Sequence, residues 1–384
     1  MEQSSREMAD LSLIEHAHGN RHAPSISLSS GKRISGRRPL QPMTSVVGTL
    51  RRMRVWCVSN QGDRVDPSRQ LDQRSWFIRR VKRHWYWART QGFGRLIEED
   101  ELDPRDRFRR ASDKRRWRKA HADVAPARPV YVVGVQRSGT NLVVRHLRDY
   151  PAIEAHNENS RAAFDRFQLK PDATISDLIR RSRHQFIVFK PLCDSHRTDD
   201  LLDGIESDTD ARAIWVYRSF DARARSAVAK FGSSNRDVLA AGAAGAWDQT
   251  WQLSGVSPAN RAFVESLDFT SMSAESGAAL FWYLRNSLFF DLGLDQRDDV
   301  FLVSYDRLVA NPDSGFASID RFLELEDADP LESEEIRSLK QAAPLEIDPS
   351  VRQRCEALQQ RLDGAATAQQ LIPPSSTDPT GDQT

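Results

Sequence analysis

Short apolar runs alternate with amphipathic segments through the middle of the chain. Runs rich in β-branched and aromatic residues, typical of buried strands, lie at 129–135, 186–189, 213–217 and 300–304. Helical spacing of apolar positions predicts helices at 140–150, 175–183, 221–231, 274–292 and 314–323, with another at 351–362. Strands alternating with helices predict an α/β, three-layer fold with a mainly parallel central sheet.

The two ends of the chain differ from this core. Residues 1–70 are rich in Ser, Arg, Gly and Pro without a sustained period, which predicts disorder. Residues 71–125 form a predicted basic, aromatic-rich helical extension, and within it 74–96 mixes Trp, Phe and Tyr with cations. Two interpretations of 74–96 stay open: a peripheral membrane contact, or a helix that packs its Trp residues on the main domain, which we favour. The domain itself is expected at 126–363, and a disordered tail at 364–384.

Charge and cysteine content narrow the protein class. The net charge is +1, yet residues 1–120 hold 27 Lys/Arg against 14 Asp/Glu, and the remainder 28 against 40. This asymmetry indicates that the extension touches an anionic surface, although we expect no nucleic-acid partner. No apolar run is long enough to cross a bilayer, and Cys57, Cys193 and Cys355 fit neither a disulfide framework nor a zinc site. These features predict a cytoplasmic, reduced protein, with membrane association limited to a peripheral contact.

A candidate phosphate loop follows the first predicted strand. It runs Gly-Val-Gln-Arg-Ser-Gly-Thr-Asn over residues 134–141, between a strand and a helix, where backbone N–H groups point at an anion. The glycine spacing is that of a Walker A loop, but Thr140 stands where a nucleotide triphosphatase needs Lys. The loop offers Arg137 as a cation and Ser138, Gly139, Thr140 and Asn141 as further donors, which suits a single phosphate bearing a sulfate.

This loop resembles the 5′-phosphosulfate loop of the sulfotransferase family. The family also carries a second phosphate site, an Arg at the end of a later strand and a Ser eight residues on, and Arg218 and Ser226 match that spacing. Val303–Leu325 is similar to the family's closing segment, so the resemblance covers about 128–325. It implies a P-loop-like fold and transfer of a sulfuryl group from 3′-phosphoadenosine 5′-phosphosulfate to an acceptor hydroxyl or amine, without a metal. The pattern is closest to the tyrosylprotein and carbohydrate branch.

Candidate catalytic groups follow from the same resemblance. Glu158 stands similarly to the catalytic Glu of the tyrosylprotein branch, with His156 and Glu154 as nearby alternatives for the proton acceptor. Lys190 follows the second strand and resembles the family's catalytic Lys, where with Arg137 it would neutralise charge on the leaving phosphate.

Residues around these candidates have expected roles of their own. Lys230 lies one turn after Ser226 and is left open as a contact to phosphate or acceptor, whereas Arg223 and Arg225 are expected to face solvent. His196, with Asp194 and Ser195 just before it, is a candidate substrate contact.

Farther along the chain, Trp282 is interpreted as core packing, and Tyr305 and Asp306 as residues that stabilise the fold through buried hydrogen bonds. The family's Gly- and Lys-containing lid near the C-terminus is missing, so either Arg352 and Arg354 replace it or the lid differs.

Two other functions remain as alternatives. A P-loop kinase would need the missing loop Lys and would depend on magnesium. A non-catalytic adaptor would bind membrane or nucleic acid through 51–120 and no nucleotide through the core. The sequence leaves the acceptor open among glycan, lipid, peptide and small phenol.

Overall fold

The computed structural model describes residues 104–122, 126–204, 210–325 and 343–371. The predictions for 1–70 and for 74–96, including the membrane contact, lie outside these ranges, as does Cys57. Among the described residues, no helix combines the length and apolar character needed to cross a membrane.

Strands and helices alternate along the described chain. The strands are β1 Arg128–Gly134, β2 Ile153–His156, β3 Phe164–Asp165, β4 Gln168–Leu169, β5 Phe186–Phe189, β6 Arg212–Tyr217 and β7 Val300–Ser304. The α-helices are α1 Pro104–Ala120, α2 Thr140–Arg148, α3 Asp172–Arg181, α4 Thr198–Gly204, α5 Phe220–Phe231, α6 Ser234–Ala243, α7 Pro258–Glu265, α8 Ala274–Asp291, α9 Tyr305–Ala310, α10 Pro312–Phe322 and α11 Pro349–Leu371. Short 3-10 helices lie at Leu192–Arg197, Trp251–Leu253 and Leu294–Gln296.

The central sheet has the order β2-β5-β1-β6-β7, and every neighbouring pair is parallel. From β1 the chain first winds to one side, through β2 and β5, and then to the other, through β6 and β7. The winding direction therefore reverses at β1 and β6. Open α/β sheets bind ligands at the carboxyl ends of the strands beside such a reversal.

Helices cover both faces of this sheet. In β1, Val130 and Val132 pack with the apolar residues of α2, α9 and α10, while Tyr131 and Val133 pack with those of α3, α5, α8 and α11. Because both faces of β1, β5, β6 and β7 are buried, their sequences are continuous apolar runs and not alternating ones. The prediction of a three-layer α/β fold with a parallel sheet is confirmed.

One strand of the sheet was not predicted, and the end of the last helix differs from expectation. Strand β2 was not predicted, because Ile153–His156 contains polar Glu and His side chains, as an edge strand allows. The last helix reaches Leu371 and passes Gly364, where we expected the disordered tail to begin. Leu362 and Ala366 are buried against the sheet, and this packing extends the helix beyond the predicted boundary at 363.

Candidate functional site

Each strand of the central sheet carries a candidate residue just beyond its carboxyl end. Glu158 follows β2, Lys190 follows β5, the loop at 134–141 follows β1, Arg218 follows β6, and Tyr305 follows β7. Since the strands are parallel, these carboxyl ends lie along one edge, in sheet order. Contacts between residues from adjacent strands join them into one site.

Two glycines shape the phosphate loop. Gly134 has φ +126°, and a Cβ there would lie 2.3 Å from the Val216 carbonyl oxygen of β6, so only glycine allows this close approach. Gly139 has φ +95° at the start of α2, and its Cβ would lie 1.9 Å from Cδ2 of Tyr305. Arg137 also has a positive φ, 72°, which a non-glycine residue adopts at a cost. The loop conformation is therefore imposed by its surroundings.

The interior of the loop contains donors suited to an anion. Ser138 is fully buried, and its Oγ makes no hydrogen bond to any residue that the structure describes. Thr140 is also buried, at the first position of α2, where the backbone N–H has no partner one helical turn earlier within the helix. A buried hydroxyl without a partner is costly. A phosphate or sulfate oxygen in the loop would satisfy it, so the residues present fit an anionic group.

Arg218, the cation of the candidate second phosphate site, lies beside the loop. Its guanidinium lies over the Tyr305 ring, 5.0 Å from the centroid, and its Nε is 3.8 Å from Oδ1 of Asp306. That Nε is buried and makes no hydrogen bond to the described residues. Trp282 donates a 2.8 Å hydrogen bond from Nε1 to the Arg218 carbonyl, which fixes the backbone at the strand end. Arg218 is thus held in place while retaining donor capacity.

The loop is in direct contact with Ser226, which belongs with Arg218 to the candidate second phosphate site. Nε of Arg137 donates a 3.0 Å hydrogen bond to Oγ of Ser226, 89 residues away in the chain. The pairing of β1 with β6 and the packing of α5 bring these two residues together. The two candidate phosphate sites therefore lie next to each other.

Glu158 and Lys190 form a pair on the other side of the loop. Nζ of Lys190 lies 2.9 Å from Oε2 of Glu158 and donates a 2.5 Å hydrogen bond to Oδ1 of Asn141. Lys190 is only 5% exposed, while Glu158 is partly buried. A buried ammonium therefore links the candidate base to the phosphate loop.

The two alternative bases lie in a separate cluster. The ring of His156 has Nε2 at 3.0 Å from Oε1 of Glu154 and Nδ1 at 2.8 Å from Oγ of Ser160. Ser182 donates to the other oxygen of Glu154 at 2.8 Å. Hydrogen bonding from His156, with that from Ser182, lowers the pKa of Glu154 to about 2 despite partial burial. Both alternative bases therefore have their polar atoms in hydrogen bonds to neighbouring side chains, whereas Glu158 contacts Lys190.

The expectation that Arg223 faces solvent is wrong. Its side chain is fully buried beneath the loop, because the inward face of α5 includes this position, and its Nε donates to the Gln136 carbonyl at 3.1 Å. Arg225 is exposed as expected and donates to the Ala343 carbonyl. Lys230 is exposed near the end of α5.

Ser195 is a supporting residue that sequence reasoning noted only in passing. Its buried Oγ lies 2.7 Å from the Leu192 carbonyl oxygen and 3.0 Å from the Gly134 carbonyl oxygen, so its one proton is shared between the two at the start of the loop. Asp194 accepts a hydrogen bond from the backbone N–H of Leu169. Burial, with the nearby Arg285 charge, lowers the pKa of His196 to about 4, so its ring is neutral at physiological pH.

The remaining assignments concern structural contacts. Trp282 is fully buried, as the interpretation as core packing requires. Asp306 accepts a 2.7 Å hydrogen bond from the Ser219 backbone and thereby stabilises the start of α5. Tyr305 differs from expectation, because its ring, and not a buried hydrogen bond, contacts the loop and Arg218.

The proposed substitutes for the missing lid make contacts of their own. Arg352 donates to the Leu345 carbonyl at 2.6 Å and pairs with Asp221, while the Arg354 guanidinium lies 3.8 Å from the Phe263 ring centroid. Both side chains hold α11 against its neighbours.

Comparisons with known proteins give structural but not sequence matches. No protein-family model matches this chain, and no curated protein matches it. A sulfotransferase from Alicyclobacillus acidocaldarius aligns with TM-score 0.35 and 14% identity, over 63% of this chain and 95% of that one. The sulfotransferase domain of the curacin biosynthetic pathway gives 0.38 and 11%, over 62% and 99%. The sulfotransferase domain of the Synechococcus PCC 7002 olefin synthase gives 0.32 and 17%, over 62% and 96%. All three are sulfotransferases, and each is less than a fifth identical to this chain.

Proposed function

We propose that this protein is a sulfotransferase that moves a sulfuryl group from 3′-phosphoadenosine 5′-phosphosulfate to an acceptor hydroxyl or amine. The observation that carries the proposal is the 3.0 Å hydrogen bond between Arg137 and Ser226. It joins a loop suited to a 5′ phosphosulfate with an Arg–Ser pair suited to a second phosphate. A nucleotide with phosphate on both the 3′ and the 5′ oxygen of one adenosine would occupy both sites.

The residues that would bind the donor fall into two groups, one for each of its phosphates. Ser138, Gly139, Thr140 and Asn141 would surround the 5′ phosphosulfate with hydroxyl, amide and backbone donors at the N-terminus of α2. Arg218 and Ser226 would hold the 3′ phosphate through a planar cationic fork and a hydroxyl. Arg137 lies between them and would exchange its bond to Ser226 for donor oxygens.

The transfer requires a proton acceptor and a cation for the leaving phosphate. When bound, the donor supplies a sulfuryl group already activated by its link to phosphate. Glu158 would take the acceptor's proton as the new bond to sulfur forms and the bond from sulfur to the phosphate oxygen breaks. Lys190 holds the Glu158 carboxylate in place, and with Arg137 it would stabilise the negative charge that gathers on the phosphate.

Binding of adenosine 3′,5′-bisphosphate, measured by calorimetry, tests the donor site. We expect binding without added metal, and a loss of about tenfold to a hundredfold in Arg218→Ala, because hydrogen bonds to a charged group contribute about 1.5–3 kcal/mol. Arg225→Ala is the matched control, since that exposed Arg lies on α5, the helix that begins just after Arg218, and bonds to the Ala343 carbonyl. Equal affinity of wild type and Arg218→Ala would refute the assignment, and strict dependence on magnesium would favour the kinase.

Transfer of labelled sulfate from the donor to a panel of hydroxyl and amine acceptors tests the chemistry. Glu158→Gln keeps the size and polarity of the side chain but removes the proton acceptor. We expect turnover to fall by about 10²–10⁴-fold with little change in affinity for the bisphosphate. Undiminished turnover would remove Glu158 from the mechanism.

A further inference from the structure

Arg223 carries a buried positive charge whose hydrogen bonds go to uncharged groups. Its side chain is 0% exposed, and within the described chain it donates to three neutral oxygens: Gln136 O at 3.1 Å, Asn235 Oδ1 at 3.1 Å and Ala278 O at 2.9 Å. Its remaining terminal nitrogen, Nη2, is buried and has no hydrogen-bond partner among the described residues. The ion pairs of the described chain include no carboxylate partner for this guanidinium.

A buried, unneutralised cation is costly, so its position is informative. Burial lowers the pKa of Arg223 to about 9, and the Arg137 charge lowers it further in the same direction. The group nonetheless remains charged at neutral pH. The loop at 134–141 therefore rests on a positive charge that forms no ion pair with a carboxylate of the described residues.

The hydrogen bond to Gln136 also fixes the direction of one loop N–H. In a planar trans peptide the carbonyl of one residue and the N–H of the next point in opposite directions. With the Gln136 carbonyl held by Arg223, the N–H of Arg137 points away from Arg223. The positive φ of Arg137, 72°, belongs to the same constrained turn.

We infer that Arg223 is a positioning residue for the 5′ end of the donor: it orients the loop peptide at 136–137 and supplies an uncompensated charge behind the phosphate. This inference rests on the proposed function. The competing explanation is a purely structural role: Arg223 links α5 to α6 and α8 by hydrogen bonds and has no effect specific to one end of the nucleotide.

Three ligands separate these explanations in calorimetry with the full chain: adenosine 3′,5′-bisphosphate, adenosine 5′-monophosphate and adenosine 3′-monophosphate. Arg223→Met removes the charge and the fork while keeping an apolar side chain of similar length. We expect its affinity for the two ligands with a 5′ phosphate to fall about tenfold or more, while the affinity for the 3′-monophosphate changes little. Arg225→Met, an exposed site on the same helix, should bind all three like the wild type.

Arg223→Lys provides a second variant that retains a charge. A buried Lys has a lowered pKa, because burial disfavours its charged form. Its charge, and with it the affinity for the 5′-monophosphate relative to the wild type, should be present at low pH and decline as pH rises through that lowered pKa. A purely structural role would leave the ratio of the Arg223→Lys affinity to the wild-type affinity constant from pH 6 to 8, a range in which Arg223 of the wild type stays charged.

The outcomes are distinguishable. Equal losses for the 5′ and 3′ ligands in Arg223→Met, together with a constant ratio in Arg223→Lys, would overturn the inference while leaving the proposed function intact. Inorganic pyrophosphate serves as a probe without adenosine. If the wild type binds pyrophosphate but none of the three nucleotides, the proposed function fails. In that case, weaker pyrophosphate binding in Arg223→Met would still indicate that Arg223 positions the loop for an anion. Unchanged pyrophosphate binding would overturn the positioning role as well.

Discussion

Gly139→Ala tests whether the Tyr305 ring packs directly on the phosphate loop. Gly139 has φ +95°, and an added Cβ would lie 1.9 Å from Tyr305 Cδ2. The left-handed backbone alone costs about 1–2 kcal/mol for a residue with a Cβ. Forcing an extra carbon into a packed contact adds about 1–3 kcal/mol. We therefore expect the free energy of unfolding to fall by about 2–5 kcal/mol, measured by urea denaturation.

The chain contains a matched control for the backbone contribution. Gly245 has φ +97°, and a Cβ there would meet nothing within 4 Å. Gly245→Ala should therefore show only the backbone cost, and the difference between the two variants isolates the collision with Tyr305. The double variant Gly139→Ala/Tyr305→Leu should be less destabilised than the sum of the single variants, by about 1 kcal/mol or more. Equal effects of the two alanine substitutions, or strict additivity with Tyr305→Leu, would refute the contact.

Three further predictions concern Lys190, Glu154 and His196. Lys190→Met should lower the initial rate of labelled sulfate transfer by about 10²–10³-fold, while bisphosphate affinity measured by calorimetry falls less than about tenfold; equal losses in both would contradict a role at the leaving group. Because the pKa of Glu154 is lowered from 4.5 to about 2, the stability that its ionised form contributes is present above pH 4.5 and is lost as the pH falls towards 2. The urea midpoint of Glu154→Gln should therefore vary less with pH over this range than that of the wild type. An unchanged pH dependence of the midpoint would count against the His156 contact. Burial lowers the pKa of His196 from 6.5 to about 4, so between these values the unfolded chain binds a proton that the folded protein does not, and stability declines as the pH falls from 6.5 to 4. In the same urea assay, His196→Gln should lose less stability over this range than the wild type. An identical loss would show that the ring is not buried in its neutral form.

The sequence determined the strands that carry the site and the residue types at their ends. Four of the five strands of the central sheet were predicted, because strands covered by helices on both faces are continuous apolar runs that are visible locally. The phosphate loop was equally local, since its spacing between a strand and a helix defines where backbone N–H groups converge. The edge strand β2 was missed, because its polar residues do not form such a run.

Tertiary structure alone decided which of these residues meet. Local patterns do not state strand order, and it is the order β2-β5-β1-β6-β7 that places Lys190 beside Glu158 and Arg137 beside Ser226. The role of Arg223 was decided in the same way. A charged residue in a helix predicts a solvated position, and only the packing of α5 beneath the loop shows that this one is buried. Long-range contacts depend on how separate elements pack, so chemistry that lies between elements can be read only after the chain is folded.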